Sequence, residues 1–288
     1  MRHTDAGSHT MSLISVTGPT TSVPTVDVRT PFHTTTTQFA DVNVGDGKIP
    51  ITSDSQMVVL DVTLVSAGTG KKLVSTQYSG DLSQVVSLSR WAQQFPAFTD
   101  ALHCATAGSR VAVAMAPGAI DPASAQGLGM SKDDSLIAVV EVRKVYLGAA
   151  DGTPAYTSGW GLPAVVRAPG GRPGIIVRDG AAPQHLSVHV LERGAFQKVT
   201  GDQPVLVNYT IVNWTDKTVA STTWDGEPKF ITLSSESKGM QAAIKGQTVG
   251  SQVMAIIPKT DGTSGVKDTQ VAVIDILGVG PAPATAAQ

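Results

Sequence analysis

The chain has 288 residues, a net charge of −2 and one cysteine. That length suffices for about two domains with cores of their own, and the balanced charge excludes a surface built to neutralise nucleic-acid phosphates or acidic lipid. A lone cysteine excludes an intrachain disulfide and a multi-cysteine zinc site, while aromatic content of only 5% beside abundant Val, Thr, Ala and Gly favours short strands joined by turns.

Residues 1–12 hold histidines without an apolar period and read as a leader or tag. They lack the charged-then-apolar order of a signal peptide, which leaves a mature or engineered form, or a cytoplasmic protein, as the expectations. No apolar run is long enough to span a membrane as a helix. The first strand signal is "PTVDVR" (24–29), followed by the strand "QMVVLDVTLV" (56–65) and the turn "TGKKLVST" (69–76). After Pro96, Phe98 and Leu102 sit four apart, which suits a short helix laid on a sheet. "LHCATAGSRVAVAMAP" (102–117) carries a Gly-Ser turn into a strand, with Cys104 expected as a small buried apolar residue. A long loop from Gly118 to Asp134 precedes the strand "LIAVVEVRKVY" (136–146).

The same succession then recurs. "PGIIVR" (173–178) matches the first strand, "QPVLVNYTIV" (203–212) the second, and "TDKTVAST" (215–222) the lysine-bearing turn. Met240 and Ile244 repeat the helical pair, "IKGQTVGSQVMAIIP" (244–258) repeats the Gly-Ser turn, and "QVAVIDILGVG" (270–280) repeats the last strand. Glu141 and Asp275 keep an acidic residue in that final block. A period of roughly 145 residues is far too long for a solenoid and indicates a duplicated domain. The expected division is leader 1–12, first domain 13–148, a Gly- and Pro-rich linker 149–168, second domain 169–280 and a low-complexity disordered tail 281–288.

The ordered blocks "GDQPVLVNYTIVNW", "WDGEP", "VGSQVMAIIP" and "VIDIL", with "GDGKIP", "FTDAL", "AGSRVAVAMAP" and "QGLGMSKDDSLIAVVEV" in the first copy, resemble the FKBP-type peptidyl-prolyl cis-trans isomerases. The tandem arrangement is similar to their exported, often lipid-anchored actinobacterial versions, and the resemblance covers residues 13–280. It implies an α+β fold of two tandem FKBP-like domains, each an antiparallel sheet wrapped around a short helix. It also implies an extracytoplasmic protein of the cell envelope, with membrane attachment only through a lipid, that handles prolyl-containing or unfolded polypeptides. The family's reaction needs neither cofactor nor metal.

The resemblance carries the family's pocket onto Tyr209, Val219, Ala220, Met240, Phe230 and Ala272 of the second copy. Val219 and Ala220 stand where the family keeps Phe-Asp, Met240 where it keeps a tryptophan and Ala272 where it keeps a phenylalanine. Phe230 or Ile231 takes the remaining wall, and "IPKTDGTSG" offers no counterpart of a further tyrosine. In the first copy the positions are Val62, Leu73, Val74, Phe98 and Ala138, with Phe98 the aromatic that remains. The second pocket reads as the better preserved, yet both are eroded. Three functions stay open: a weak prolyl isomerase assisting exported proteins, a catalytically inactive polypeptide-binding or chaperone scaffold, and a purely structural pair of domains.

Other motifs carry little. His185 and His189 are four apart but fall in a strand-like segment, which favours packing or surface roles over a metal pair. "GLG" (127–129) lacks the lysine of a phosphate loop. "NYT" and "NWT" are formal glycosylation sequons, with Asn208 expected on an inner strand.

Overall fold

The computed structural model describes residues 4–157, 159 and 161–281. The tail expected over 281–288 lies, apart from Pro281, outside them. The chain divides into two compact units, Met1–Tyr146 and Leu147–Gln288.

The first unit runs α1 (His9–Ser12), β1 (Ile14–Thr17), β2 (Thr25–Val28), β3 (Gln38–Asn43), β4 (Met57–Ser66), β5 (Lys72–Ser75), β6 (Val86–Ser87), α2 (Leu88–Gln94), α3 (Ala97–Leu102), β7 (Arg110–Met115), α4 (Pro122–Gly127) and β8 (Leu136–Val145). Its antiparallel sheet has the order β3-β7-β8-β4-β5, with β6 also paired to β4. Both faces of β4 and β8 are buried because each face has its own cover. In front, Phe98, Ala101 and Leu102 of α3 pack with Val111, Val113, Ala138 and Val140, the three-then-one spacing of a helix that lies flat on a sheet. Behind, Met11 and the β1–β2 hairpin close over Val65, Ala112, Ala114 and Ile137.

The second unit runs β9 (Thr153–Pro154), β10 (Ala164–Arg167), β11 (Pro173–Ile176), β12 (Ser187–Arg193), β13 (Val205–Asn213), β14 (Val219–Thr222), β15 (Lys229–Ile231), α5 (Lys238–Ile244), β16 (Gln252–Ile257) and β17 (Gln270–Val279). Its sheet order is β14-β13-β17-β16-β12-β9, with β15 paired to β13. The Ser237 side chain caps α5 by accepting from the Met240 N–H. Gly239 lets that helix lie against β16, since a Cβ there would come within 2.4 Å of Ile257 Cγ2. The β10–β11 hairpin covers the back face, where Val165 and Ile175 pack beside Val212, Met254, Ile256 and Val273.

Three expectations change. The expected leader, whose first three residues lie outside the described ones, is built into the first unit over 4–12: Ser8 caps α1, Met11 is buried, and Asp5 exchanges hydrogen bonds with Phe39 on β3. The segment 149–168, expected as linker, contributes strands in its described residues, because β9 pairs with β12 and β10 with β11, and the hairpin's own turn follows at Ala168–Arg172. Cys104 is exposed: it sits in a left-handed turn after α3 at φ 63°, its N–H given to Ile51 O and its Sγ 3.1 Å from His103 Nδ1.

A bulge explains a subtler difference. Thr63 faces Ser75, Leu64 faces Val74 and Val65 faces Lys72, which leaves Leu73 as the extra residue. In the second copy Thr210 faces Thr222, Ile211 faces Ser221 and Val212 faces Val219, which leaves Ala220. Structurally, then, Lys72 and Leu73 correspond to Val219 and Ala220, one residue away from the match read from the Ser-Thr pairs. The second copy has an additional threonine, and Thr223 takes the place of Thr76.

Candidate functional site

A cavity of about 320 Å³ opens on the front of the first unit. Its sheet wall is Val62, Leu64, Val74, Ser75 and Thr76, its helical wall Trp91, Gln94 and Phe95, and its roof Ser124, Gly127 and Leu128. The helical wall follows from local sequence. Leu88, Trp91 and Phe95 are spaced three and then four, so α2 buries Leu88 and turns both rings the same way. Phe98 lies fully buried beneath them, stacked on Phe95 at 5.1 Å between ring centroids and 6.3 Å from Trp91. The roof is α4, capped by Asp121 through the Ser124 N–H at 2.9 Å and tied to the wall by Asp121 N–H donating to Gln94 O at 3.0 Å.

None of the lining residues is titratable. The Thr76 hydroxyl is already committed, donating to Asp61 Oδ1 at 2.7 Å while accepting from Val62 N–H at 3.1 Å. Asp61 leads to the back face, where Arg143 Nε stands 3.4 Å away. Beside it Glu141 accepts from Arg110 Nε at 2.6 Å, and Arg110 also donates to the carbonyls of Gly18 and Pro19 in the covering hairpin. Burial pushes the Glu141 carboxyl up and Arg110 opposes it. Tyr78 donates or accepts at Thr63 Oγ1 over 3.0 Å, and burial holds its phenol at about 12. These charges support the sheet behind the cavity and do not enter it. The site offers a recess for an apolar group; of its side-chain hydroxyls, Thr76 donates to Asp61 and Ser124 to Asp121.

Of the positions expected in this copy, Val62 and Val74 line the cavity; Leu73, Phe98 and Ala138 do not. Ala138 is fully buried in the sheet and Leu73 is the exposed bulge residue. Trp91 and Phe95 are not among the expected positions, although the spacing of Leu88, Trp91 and Phe95 marks one face of a helix. The loop Gly118–Asp134 supplies the roof.

In the second unit Tyr209 is half-buried on β13, Ala272 is buried two ladder positions away opposite Ile211, and Met240 is buried on α5 over the same face. Val219 and Ala220 are exposed at the bulge on β14. Phe230 is 38% exposed opposite Leu206 and beside Gly280, toward the other end of β13. Thr223 repeats the arrangement of Thr76, donating to Asn208 Oδ1 at 2.8 Å and accepting from Tyr209 N–H at 2.9 Å. His189 lies on β12 and Asn208 is buried on β13 between neighbouring strands.

No family model matches the chain, and no curated protein matches it. Among solved structures, the chain is similar to FkpA from Escherichia coli at 22% identity and a TM-score of 0.32, over 41% of this chain and 53% of that one. It thus spans about half the length of that protein. A peptidyl-prolyl cis-trans isomerase from Pseudomonas syringae pv. tomato matches at 19% identity and a TM-score of 0.30, over 33% of this chain and 76% of that one. The three FKBP domains of wheat FKBP73 match at 14% identity and a TM-score of 0.32, over 84% of this chain and 94% of that one.

Proposed function

We propose that this protein binds prolyl segments of unfolded polypeptide in the cavity of the first unit and weakly accelerates rotation about the X-Pro bond, as FKBP-type isomerases do. The observation that carries the proposal is an apolar recess walled by Trp91 and Phe95 with no titratable group in its lining. The ordered sequence blocks shared with that family support it.

Amide resonance sets the barrier to rotation at about 18–20 kcal/mol, and uncatalysed X-Pro exchange takes roughly tens to hundreds of seconds. The twisted transition state has lost that resonance, and its carbonyl is less polar than in the planar amide. An enclosure that excludes water therefore stabilises it relative to the ground state without any covalent step. Trp91 and Phe95 supply the enclosure. Thr76 offers the substrate no hydroxyl proton because Asp61 already takes it, so little holds the carbonyl and the acceleration is small.

That same commitment of Thr76 favours a second reading, a polypeptide-holding scaffold with no isomerase activity. Exchange NMR on a short X-Pro peptide with the full chain at tens of micromolar distinguishes the two. Acceleration that is lost in Trp91→Leu supports the isomerase; chemical-shift changes at Trp91 without acceleration support the scaffold. Absence of both overturns each reading. The resemblance to exported tandem proteins supports work on exported clients in the cell envelope, which cell fractionation with an antibody to the chain tests.

A further inference from the structure

The cavity adjoins a sheet edge, β5, that like β14 of the second sheet pairs on one side only among the described residues, whereas the other edges are covered. On the opposite side of the first sheet, β3 is met by Asp5, whose N–H donates to Phe39 O and whose carboxylate accepts from Phe39 N–H. In the second unit the far edge, β12, is covered by β9 with Pro154 and by Ala155 N–H donating to Leu191 O. These are the usual ways of blunting an edge. β5 has no such cover: among the described residues it pairs with β4 alone. Its Leu73 and Val74 are 36% and 46% exposed, and Lys71 and Lys72 are exposed without an ion pair among the described residues.

The ladder fixes which backbone groups β5 presents. Thr76 N–H donates to Val62 O, and Ser75 stands opposite Thr63. Hydrogen-bonded and non-hydrogen-bonded pairs alternate along an antiparallel ladder, so the N–H and C=O of Ser75 face away from β4. A strand added antiparallel to β5 would exchange both bonds with Ser75. Its next residue would lie opposite Val74 with its side chain on the face of Val74, which is the face of the cavity. At that position the N–H of the added strand points away from β5, so a residue with no N–H fits without loss.

We infer that clients dock as an added antiparallel strand on β5, with proline opposite Val74 in the cavity, the preceding residue bonded to Ser75 and acidic residues after the proline beside Lys71 and Lys72. The inference rests on the polypeptide-binding reading above and deepens it. Ser75 N–H would hold the carbonyl of the very amide that rotates. β14 is the internal contrast: Ser221 stands in place of Val74, and Lys217 is already paired with Asp179.

The test uses the full chain and a peptide with one central Val-Pro followed by two glutamates. Binding is followed by amide NMR, together with hydrogen exchange at Ser75. Docking on the edge is expected to slow exchange of the Ser75 amide. N-methylation of the valine before proline should weaken binding about tenfold through the lost bond and the added bulk, while replacing both glutamates by lysine should weaken it several-fold. Ser75→Pro should abolish binding, and the protection of β8 amides reports whether that variant is folded. If the peptide shifts Trp91 but tolerates N-methylation and leaves Ser75 exchange unchanged, strand addition is overturned and cavity binding stands. No binding of any peptide overturns both. Concentration-dependent self-association that protects Ser75 without peptide would assign the edge to a second copy and overturn the inference.

Discussion

Glu141 on β8 and Asp275 on β17 occupy the same place on the back of two sheets with the same order of core strands, yet they are kept in opposite ways. Glu141 faces Asp61 across the ladder and is bonded to Arg110 of β7 at 2.6 Å, so the sheet itself supplies the cation and the hairpin supplies only carbonyls. Asp275 faces Asn208 and is bonded to Gln252 of β16 at 2.8 Å and to Ala150 N–H at 2.8 Å, so the sheet supplies only neutral donors. The cation there is Arg167 of the covering hairpin, 3.8 Å from Asp275 and paired to Glu192 at 2.5 Å. Sheets of like strand order therefore tolerate a buried acid either through an intimate ion pair or through a hydrogen-bonded site that leaves the acid poorly charged. Burial raises both carboxyls, that of Asp275 to about 6.

The comparison is broken most forcefully from the first unit. Arg110→Met leaves Glu141 buried without its main partner, so that it must either keep an uncompensated charge or take up a proton, and is expected to destabilise that unit by about 3–5 kcal/mol. Gln252→Met at the equivalent place removes one neutral donor and is expected to cost the second unit about 1–3 kcal/mol. Amide exchange read separately on β8 and β17 measures both. Equal costs would mean that Arg110 is not holding Glu141 as an ion, and the contrast between the two sites would collapse.

Acidity sharpens the same contrast. Burial raises Asp275 from 3.8 to about 6, with Ala150, Gln252 and Arg167 opposing it. The folded state therefore binds more protons than the unfolded chain across that window. Its contribution to stability is fully present below the unfolded value and is lost as pH rises through the folded one. Such a shift corresponds to about 3 kcal/mol between the two limits. Urea denaturation of wild type against Asp275→Asn between pH 4 and pH 7 should show wild type losing stability relative to the variant as pH rises. A parallel pair of curves would overturn the raised carboxyl.

Much of this frame was legible in the sequence because burial on both faces writes itself into strands such as "VAVAM" and "VAVID", and because duplication offers a second copy to check against. The acidic pair was visible for the same reason. The covering hairpin was half visible: its second strand was read, while β10 was hidden in a segment whose glycines and prolines resemble a linker. The bulges at Leu73 and Ala220 hid the register, since an extra residue has no signature of its own when Ser and Thr repeat. The cavity was legible only in part, through Val62 and Val74, for a physical reason. Val62 and Val74 lie on strands that recur in the second unit, whereas the rest of the wall comes from α2 and α4, which are matched there by a 3-10 turn at Leu233–Ser235 and by turns.

That last difference gives the smallest and most discriminating expectation. Between β16 and β17 the second unit has turns where the first has α4, so the roof is private to the cavity. Asp121→Ala removes the cap on α4 but keeps the backbone bond from residue 121 to Gln94 O. The expected cost is about 1 kcal/mol, confined to faster exchange over 122–127, with β8 protection almost unchanged. Peptide affinity should fall a few-fold, because a frayed roof readmits water over Trp91 and Phe95. If exchange over 122–127 quickens while affinity holds, α4 is a cover for the core alone. The two units would then differ in their buried acids but not in how they meet a polypeptide, and β14 would deserve the same peptide test as β5.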